Sequence, residues 1–289
     1  MVSTSSTAGG GATDGAWRPR LLALDIDGTL LKWVENVGTT AMQVSPAVYA
    51  AVHRALDDGA YVVLASGRSP YGMNRVADLL DLHPGVGEPL WVVASNGAVV
   101  FRYPPLEVVH EETFDAAPAV AAILEHRPHA LVAVEERGVG YRVNRPFPDG
   151  ELQGESTIAD VADLVSVPVS RVIIRDPDAT AEDFVALAQR LGLQGTDYVV
   201  GWTAWLDLAP VGVSKASGLA YVARELGLDA SDVLAIGDGR NDLEMLRWAG
   251  RGVAMGQAID EVKEAADAVT GTVYDEGAAQ ELDLWWPPM

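Results

Sequence analysis

Asp25, Asp27, Gly28 and Thr29 stand close together near the start of the chain, and three short runs far from them complete a chemical set: Ser66-Gly67-Arg68, Ser214-Lys215, and Gly237-Asp238-Gly239-Arg240-Asn241-Asp242. Asp25 and Asp27 are two positions apart, so if strand geometry persists that far their carboxylates leave the backbone on the same side. Like charges so placed repel, and burial at a strand end makes the repulsion worse. Asp238, at the end of another apolar run, adds a third carboxylate to the same crevice. A divalent cation relieves such a cluster, and an all-oxygen ligand set favours Mg²⁺. A single aspartate in this setting reads as a loop residue or helix cap; three at strand ends read as a metal site.

Lys215 follows the capping residue Ser214 and so lies in the first turn of a helix. There the macrodipole and free N–H groups disfavour a cation and favour an anion, so a lysine makes sense if an anion sits between it and the helix end. Ser66, between an apolar run and Gly67, offers a hydroxyl and the N–H groups that follow it, the makings of an anion-binding nest. Carboxylates, a dication and an anion pocket are the parts of a phosphoryl-transfer site. A serine triad does not fit, because none of the histidines at 53, 83, 110, 126 and 129 lies near a strand end opposite Ser66.

These residues need a scaffold that delivers strand ends to one rim, and the rest of the sequence supplies it. Leu21–Leu24 is a continuous apolar run, as expected of a parallel strand buried on both faces, and it stops at Asp25. Ser45-Pro46 opens a helix that Gly59 ends; strand 61–65 then leads to Ser66, Pro70 opens another helix, and strand 90–94 reaches Ser95-Asn96-Gly97, whose Asn-Gly pair predicts a tight hairpin. Between Pro104 and about Thr203 the pattern is less regular: helices at 117–124 and 182–191, and strands at 131–134, 171–175 and 198–202. The α/β rhythm returns with a helix from Ser214 to Leu226, strand 233–236, helix 242–248, strand 252–255, helix 259–266 and strand 268–270. The expected fold is α/β, a doubly wound parallel sheet core with an inserted α+β cap domain.

Composition narrows the partners. With 289 residues, 49% of them hydrophobic, there is ample material for buried cores. A net charge of -21 excludes nucleic acid and an anionic membrane surface as partners, and it means any phosphate site must be made locally cationic by a metal, a lysine and helix N-termini. The lack of cysteine rules out disulfides and thiolate chemistry, and residues 1–15 have neither the basic nor the apolar region of a signal peptide. No stretch is long and apolar enough to span a membrane, and the expected compartment is the cytoplasm.

The four runs resemble the motifs of the haloacid dehalogenase-like (HAD) phosphatase superfamily, and specifically the Cof-type hydrolases with a type IIB cap. The resemblance runs from about Leu21 to Leu282 and includes Gly252-Val253-Ala254-Met255-Gly256-Gln257-Ala258, Lys263, Ala266-Asp267 and Val269-Thr270, similar to that subfamily's closing signature. It implies that Asp25 attacks phosphorus to give an aspartyl-phosphate, while Asp27 protonates the leaving alcohol and then activates the hydrolytic water. By the same resemblance Asp25, the main-chain carbonyl of Asp27 and Asp238 hold Mg²⁺, with Asp242 acting on the metal's waters. Ser66, Lys215 and Asn241 bind the phosphoryl oxygens, and Gly28, Thr29 and Gly67 support the loops. Ala216 in place of a usual Gly, Gly239-Arg240 at a variable centre and Gln257 in place of a common Asn are the departures, and none removes a catalytic group.

Spacing locates the cap. Between positions 25 and 66 there is room for a short flap and one helix, whereas between 66 and 215 there is room for a strand and about a hundred further residues. The expected division is a tail at 1–17, a catalytic core at 18–103 and 206–289, and a cap at 104–205. Arg142, Asn144, Arg145 and Trp202 are its candidate specificity residues. The expected activity is Mg²⁺-dependent hydrolysis of a small phosphorylated metabolite such as a sugar phosphate. A phosphomutase on the same fold would keep every motif, and a silent sugar-phosphate sensor would bind without turnover.

Overall fold

The computed structural model describes residues 17–34, 40–82, 89–191, 196–200 and 205–288. Strand β1 (Leu21–Leu24) leads into a small antiparallel flap, β2 (Leu31–Trp33) and β3 (Thr40–Val44). Then come α1 (Pro46–Asp57), β4 (Tyr61–Ala65), α2 (Pro70–Leu79), β5 (Leu90–Ala94), β6 (Val99–Tyr103) and β7 (Glu107–Glu111). The middle of the chain forms α3 (Ala117–His126), β8 (Leu131–Glu136), β9 (Gly140–Val143), β10 (Glu155–Ile158), α4 (Val161–Leu164), β11 (Val172–Arg175), α5 (Ala181–Leu191), β12 (Thr196–Val200) and β13 (Trp205–Pro210). The last third holds α6 (Lys215–Glu225), β14 (Val233–Gly237), α7 (Leu243–Trp248), β15 (Arg251–Ala254), α8 (Asp260–Ala265), β16 (Ala268–Val269) and α9 (Gly277–Asp283).

Two large sheets organise these elements. The first has the order β16-β15-β14-β1-β4-β5-β6-β7, parallel from β16 to β5 with β6 and β7 antiparallel at one edge. The second, β10-β9-β8-β11-β13-β12, is mostly antiparallel and forms the inserted cap. The pairing puts Glu107–Glu111 in the first sheet and Trp205–Pro210 in the second. Among the described residues, no helix is long and apolar enough to cross a membrane.

β1 is fully buried because both faces of the first sheet are covered: Leu22 and Leu24 pack with α1, α2 and α9 residues such as Val52, Val76 and Leu282, and Leu21 and Ala23 pack with Leu219 and Met245 on the other side. In register, Leu24 lies beside Ile236 on one neighbour and Leu64 on the other, so these three strands end level. The rim that follows carries Asp25, Ser66 and Asp238. Side-chain caps fix the helices that leave it: the Ser45 hydroxyl accepts from Val48 N–H, Ser69 accepts from Gly72 N–H, and Ser214 and Ser217 form a reciprocal capping box.

The expected Asn-Gly hairpin is a three-residue 3₁₀ turn, Ser95–Gly97, with Ser95 and Asn96 at φ 51° and 54°. Ser95 N–H is bonded to Arg68 C=O and Asn96 N–H to Ser66 C=O, contacts that hold this turn against the Ser66 loop. Strands β7, β9 and β10 lie where the sequence pattern is irregular, and β13 and the two flap strands carry no strand signal in that reading; β10 is an exposed edge paired in parallel with β9. Residues 1–16 and Trp202 lie outside the described residues. Trp17, expected in the tail, instead packs edge-on against Trp285 and donates its indole N–H to Ser231 C=O.

Candidate active site

The loop after β1 is wound tightly. Leu30 and Leu31 N–H both reach back to Ile26 C=O, and Gly28 takes φ 86°, a left-handed conformation that suits glycine. A Cβ at Gly28 would also collide with the Asp238 carboxylate and the Trp33 indole, so this glycine lets two loops close on each other. Because β1 ends at Leu24, extended strand geometry does not run on through Asp27, and a tight turn rather than a strand positions the two carboxylates. Each carboxylate meets its own cation.

Asp25 is buried, with Oδ1 2.6 Å from Lys215 Nζ and Oδ2 accepting from the Thr29 hydroxyl at 2.9 Å. Lys215 is completely buried and also lies 2.6 Å from Asp242 Oδ1. The other oxygen of Asp242 accepts N–H bonds from Asp238 at 3.0 Å and Gly239 at 2.8 Å, so Asp242 both fixes the lysine and closes the loop after β14. Burial and the neighbouring Asp242 hold the Asp25 carboxyl well above the ordinary range, with Lys215 opposing them. Burial works against the charge of Lys215, but Asp242 and Asp25 outweigh it and raise its pKa.

Asp238 accepts from the Gln257 side chain at 3.2 Å, and the Trp33 indole also bonds to it. Burial and Asp242 push it up to about 6. Gln257 additionally donates to Gly28 C=O at 2.6 Å, which ties the two metal-side loops together. Asp25, Asp238 and Asp242 each bring a carboxylate oxygen to within 4.8 Å of the others. Three buried or half-buried carboxylates against one lysine leave surplus negative charge that a divalent cation would neutralise, and the oxygen donors suit a hard ion. The residues therefore fit such a metal.

Asp27 meets the flap and the Ser66 loop, close enough for the Lys215 charge to act on it. Its carboxylate receives Arg68 Nε at 2.7 Å and Nη2 at 2.5 Å, together with the Thr40 hydroxyl at 2.6 Å. Burial alone would raise its pKa, but the guanidinium prevails and the carboxyl is held below its usual value. Ser66, also buried, accepts at Oγ from Arg68 N–H at 3.2 Å. Asn241 donates to Asn96 Oδ1 at 3.0 Å, and Asn96 lies against Gly67, so Ser66, Gly67, Asn96 and Asn241 line one side of the crevice.

All the expected site residues thus meet on one rim. Nothing in the sequence pairs Arg68 with Asp27, and Thr40, Trp33 and Asn96 approach from the flap and the β5–β6 turn without a spacing signal of their own. Among the expected cap residues, Arg142 donates to the carbonyls of Asp163 and Leu164, Asn144 bonds Val132 N–H and Ala130 C=O, and Arg145 reaches the carbonyls of Pro128 and Ala130. These bonds brace the cap itself.

Comparison with known proteins agrees with this geometry. The family model for haloacid dehalogenase-like hydrolases matches residues 22–282. A phosphoglycolate phosphatase of Natronomonas pharaonis is 32% identical over 91% of this chain and 96% of its own. The 5-amino-6-(5-phospho-D-ribitylamino)uracil phosphatase YitU of Bacillus subtilis is 29% identical over 92% and 97%. Among solved structures, a haloacid dehalogenase-like hydrolase from Bacteroides thetaiotaomicron superposes with a TM-score of 0.76 at 26% identity, covering 92% of this chain and 99% of that one. The chain belongs to the haloacid dehalogenase-like hydrolase family.

Proposed function

We propose that this phosphatase hydrolyses small phosphorylated metabolites, sugar or polyol phosphates above all, through an aspartyl-phosphate on Asp25, and that it is a Cof-type member whose type IIB cap is the segment between Glu111 and Pro210. The observation that carries the reading is the setting of Asp25: a buried carboxylate with one oxygen on Lys215 and the other on Thr29, so its position is fixed before substrate arrives. Its relatives' substrates include a ribityl phosphate and phosphoglycolate.

In the first half-reaction Asp25 attacks phosphorus, the bond to the ester oxygen breaks, and Asp27 gives that oxygen a proton. In the second, Asp27 as carboxylate takes a proton from water, the water oxygen attacks phosphorus, and Asp25 is released with inorganic phosphate. Arg68 favours the basic form of Asp27, which suits the second step; the first requires that pair to loosen. Lys215, the Ser66 hydroxyl and Asn241 meet the phosphoryl oxygens, where negative charge spreads in the transition state. Mg²⁺, held by Asp25, the Asp27 carbonyl and Asp238 and steadied by Asp242, would neutralise phosphoryl charge.

The test is phosphate release from sugar phosphates, nucleotides and an aryl phosphate, with Mg²⁺ or EDTA, for wild type and Asp25→Asn. Mg²⁺-dependent release lost in the variant supports the reading. Undiminished release by Asp25→Asn contradicts it.

A further inference from the structure

Side chains of the cap sheet alternate between two faces. Val132, Val134, Val172 and Ile174 pack beneath α3 and α5 as one core. Ala133, Tyr141, Val143 and Ile173 form a smaller cluster on the opposite face. Two-residue alternation puts Glu135, Arg171 and Asp207 on that second face, and it is this face that meets the catalytic core.

The contacts across the junction are polar. Glu135 accepts from the Ser95 hydroxyl, with its two oxygens at 2.8 and 2.7 Å. Tyr141 is bonded to Ser69. Oε1 of Gln153 lies where a Cβ on Gly72 would come within 2.8 Å of it, and it is buried with no hydrogen-bond partner among the described residues. These core residues adjoin the chemistry: Ser95 N–H is bonded to Arg68 C=O, Ser69 follows Arg68 in the chain, and Gly72 packs on the Arg68 side chain.

Hydrogen-bond accounting leaves Glu135 and Gln153 short of donors, whereas Asp207 also accepts from the Trp205 indole at 3.3 Å. The single hydroxyl proton of Ser95 can serve only one Glu135 oxygen at a time. Arg171 approaches the second oxygen to 3.6 Å, while its Nε and Nη2 are taken by Asp207 at 2.9 to 3.0 Å. Two carboxylates thus share one guanidinium, and Gln153 Oε1 adds another acceptor. Buried acceptors without donors are costly, and a buried excess of negative charge repels an anion.

We infer that Glu135 is a specificity-determining residue: it accepts a hydrogen bond from a hydroxyl or amine of the leaving group, with Gln153 beside it, and turns away leaving groups that carry a carboxylate. This rests on the phosphatase reading above and sharpens it, since it separates polyol phosphates from phosphorylated acids of the same size.

The matched probes are glycerol phosphate and the phosphoglycerate that carries a carboxylate in place of the terminal alcohol, with p-nitrophenyl phosphate as a reporter of phosphatase action. Wild type should favour glycerol phosphate in kcat/KM by about tenfold or more, because a site with buried polar groups rejects the wrong partner strongly. Glu135→Gln, which keeps the shape and removes the charge, should narrow that ratio by roughly fivefold or more. Gln153→Leu removes an acceptor that bonds nothing among the described residues, so it folds independently of the answer for Glu135, and it should lower kcat/KM for glycerol phosphate more than for p-nitrophenyl phosphate. Equal or better use of phosphoglycerate by wild type overturns the inference, as does an unchanged ratio in Glu135→Gln with no selective loss in Gln153→Leu. Failure to release phosphate from any ester, the aryl one included, removes the phosphatase reading as well; aryl turnover with the wrong ratio removes only this inference.

Discussion

Lys215→Met keeps most of the side-chain volume and deletes one charge at the point where the site is most tightly wound. The ammonium is wholly buried and 2.6 Å from both Asp25 and Asp242. Without it two carboxylates face each other with no cation between them, and breaking a buried pair in this way costs about 3–5 kcal/mol. Asp242 keeps its two backbone N–H bonds, which favours the lower part of that range. At about 2–4 °C per kcal/mol for a chain of this size, the melting temperature in EDTA near neutral pH should fall by roughly 10 °C. The deficit should shrink in acid. The Asp25 carboxyl is already raised by burial and by Asp242, and the variant has lost the lysine that opposed them, so the cost is full above its folded pKa and disappears as it takes up a proton. Mg²⁺ should also recover part of the loss by replacing the missing positive charge. Scanning calorimetry of both proteins, with EDTA or Mg²⁺ across the acid range, reads all three effects. A variant that melts within about 1 kcal/mol of wild type, or whose deficit is the same at every pH, refutes the reasoning.

Three other perturbations bear on the same site. Arg68→Met removes the cation that holds the Asp27 carboxyl down against burial, so Asp27 stays protonated to higher pH and the alkaline limb of kcat/KM should move upward; an unmoved limb contradicts its role as the acid. In metal-free protein Asp238 is pushed up to about 6 by burial and Asp242. A carboxyl raised above its unfolded value destabilises progressively as pH climbs from about 4 to about 6, so EDTA-treated protein should lose melting temperature across that window and the Mg²⁺-induced rise should grow through it; a Mg²⁺ effect independent of pH opposes this. Gly28→Ala imposes a side chain at φ 86° against Asp238 and Trp33, which should cost about 2 kcal/mol or more and weaken Mg²⁺ binding by titration calorimetry. Wild-type stability and affinity in that variant would show that the two loops do not close as described.

The parallel core was legible because its strands are buried on both faces and end in polar residues: Leu21–Leu24 stopping at Asp25 gave a strand and a rim in one reading. Helix starts were equally plain where Ser-Pro or Ser-Lys supplies a cap. Asp25, Ser66, Lys215 and Asp238 converge because strand register brings their distant runs level, and spacing along the chain carries no measure of that approach. Two-residue alternation does not carry through to Asp27, because a tight turn, not an extended strand, follows Leu24. In the cap, both faces of the sheet are covered, so alternation along β8 and β9 does not reveal which face meets the core. Arg142 and Asn144 looked available on polarity alone, yet they bond the cap's own backbone, whereas Glu135 and Arg171 sit inside or beside apolar runs and read as strand ends.

The most direct measurement is rapid-quench trapping of the enzyme during turnover of its best phosphate ester, followed by borohydride reduction and peptide mass spectrometry. The account predicts that Asp25, and no other carboxylate, is converted to homoserine by reduction of its acyl phosphate, and that neither Asp25→Asn nor EDTA-treated protein yields the product. Turnover without a trapped species at Asp25, or a label on Asp27 or Asp238, would contradict it.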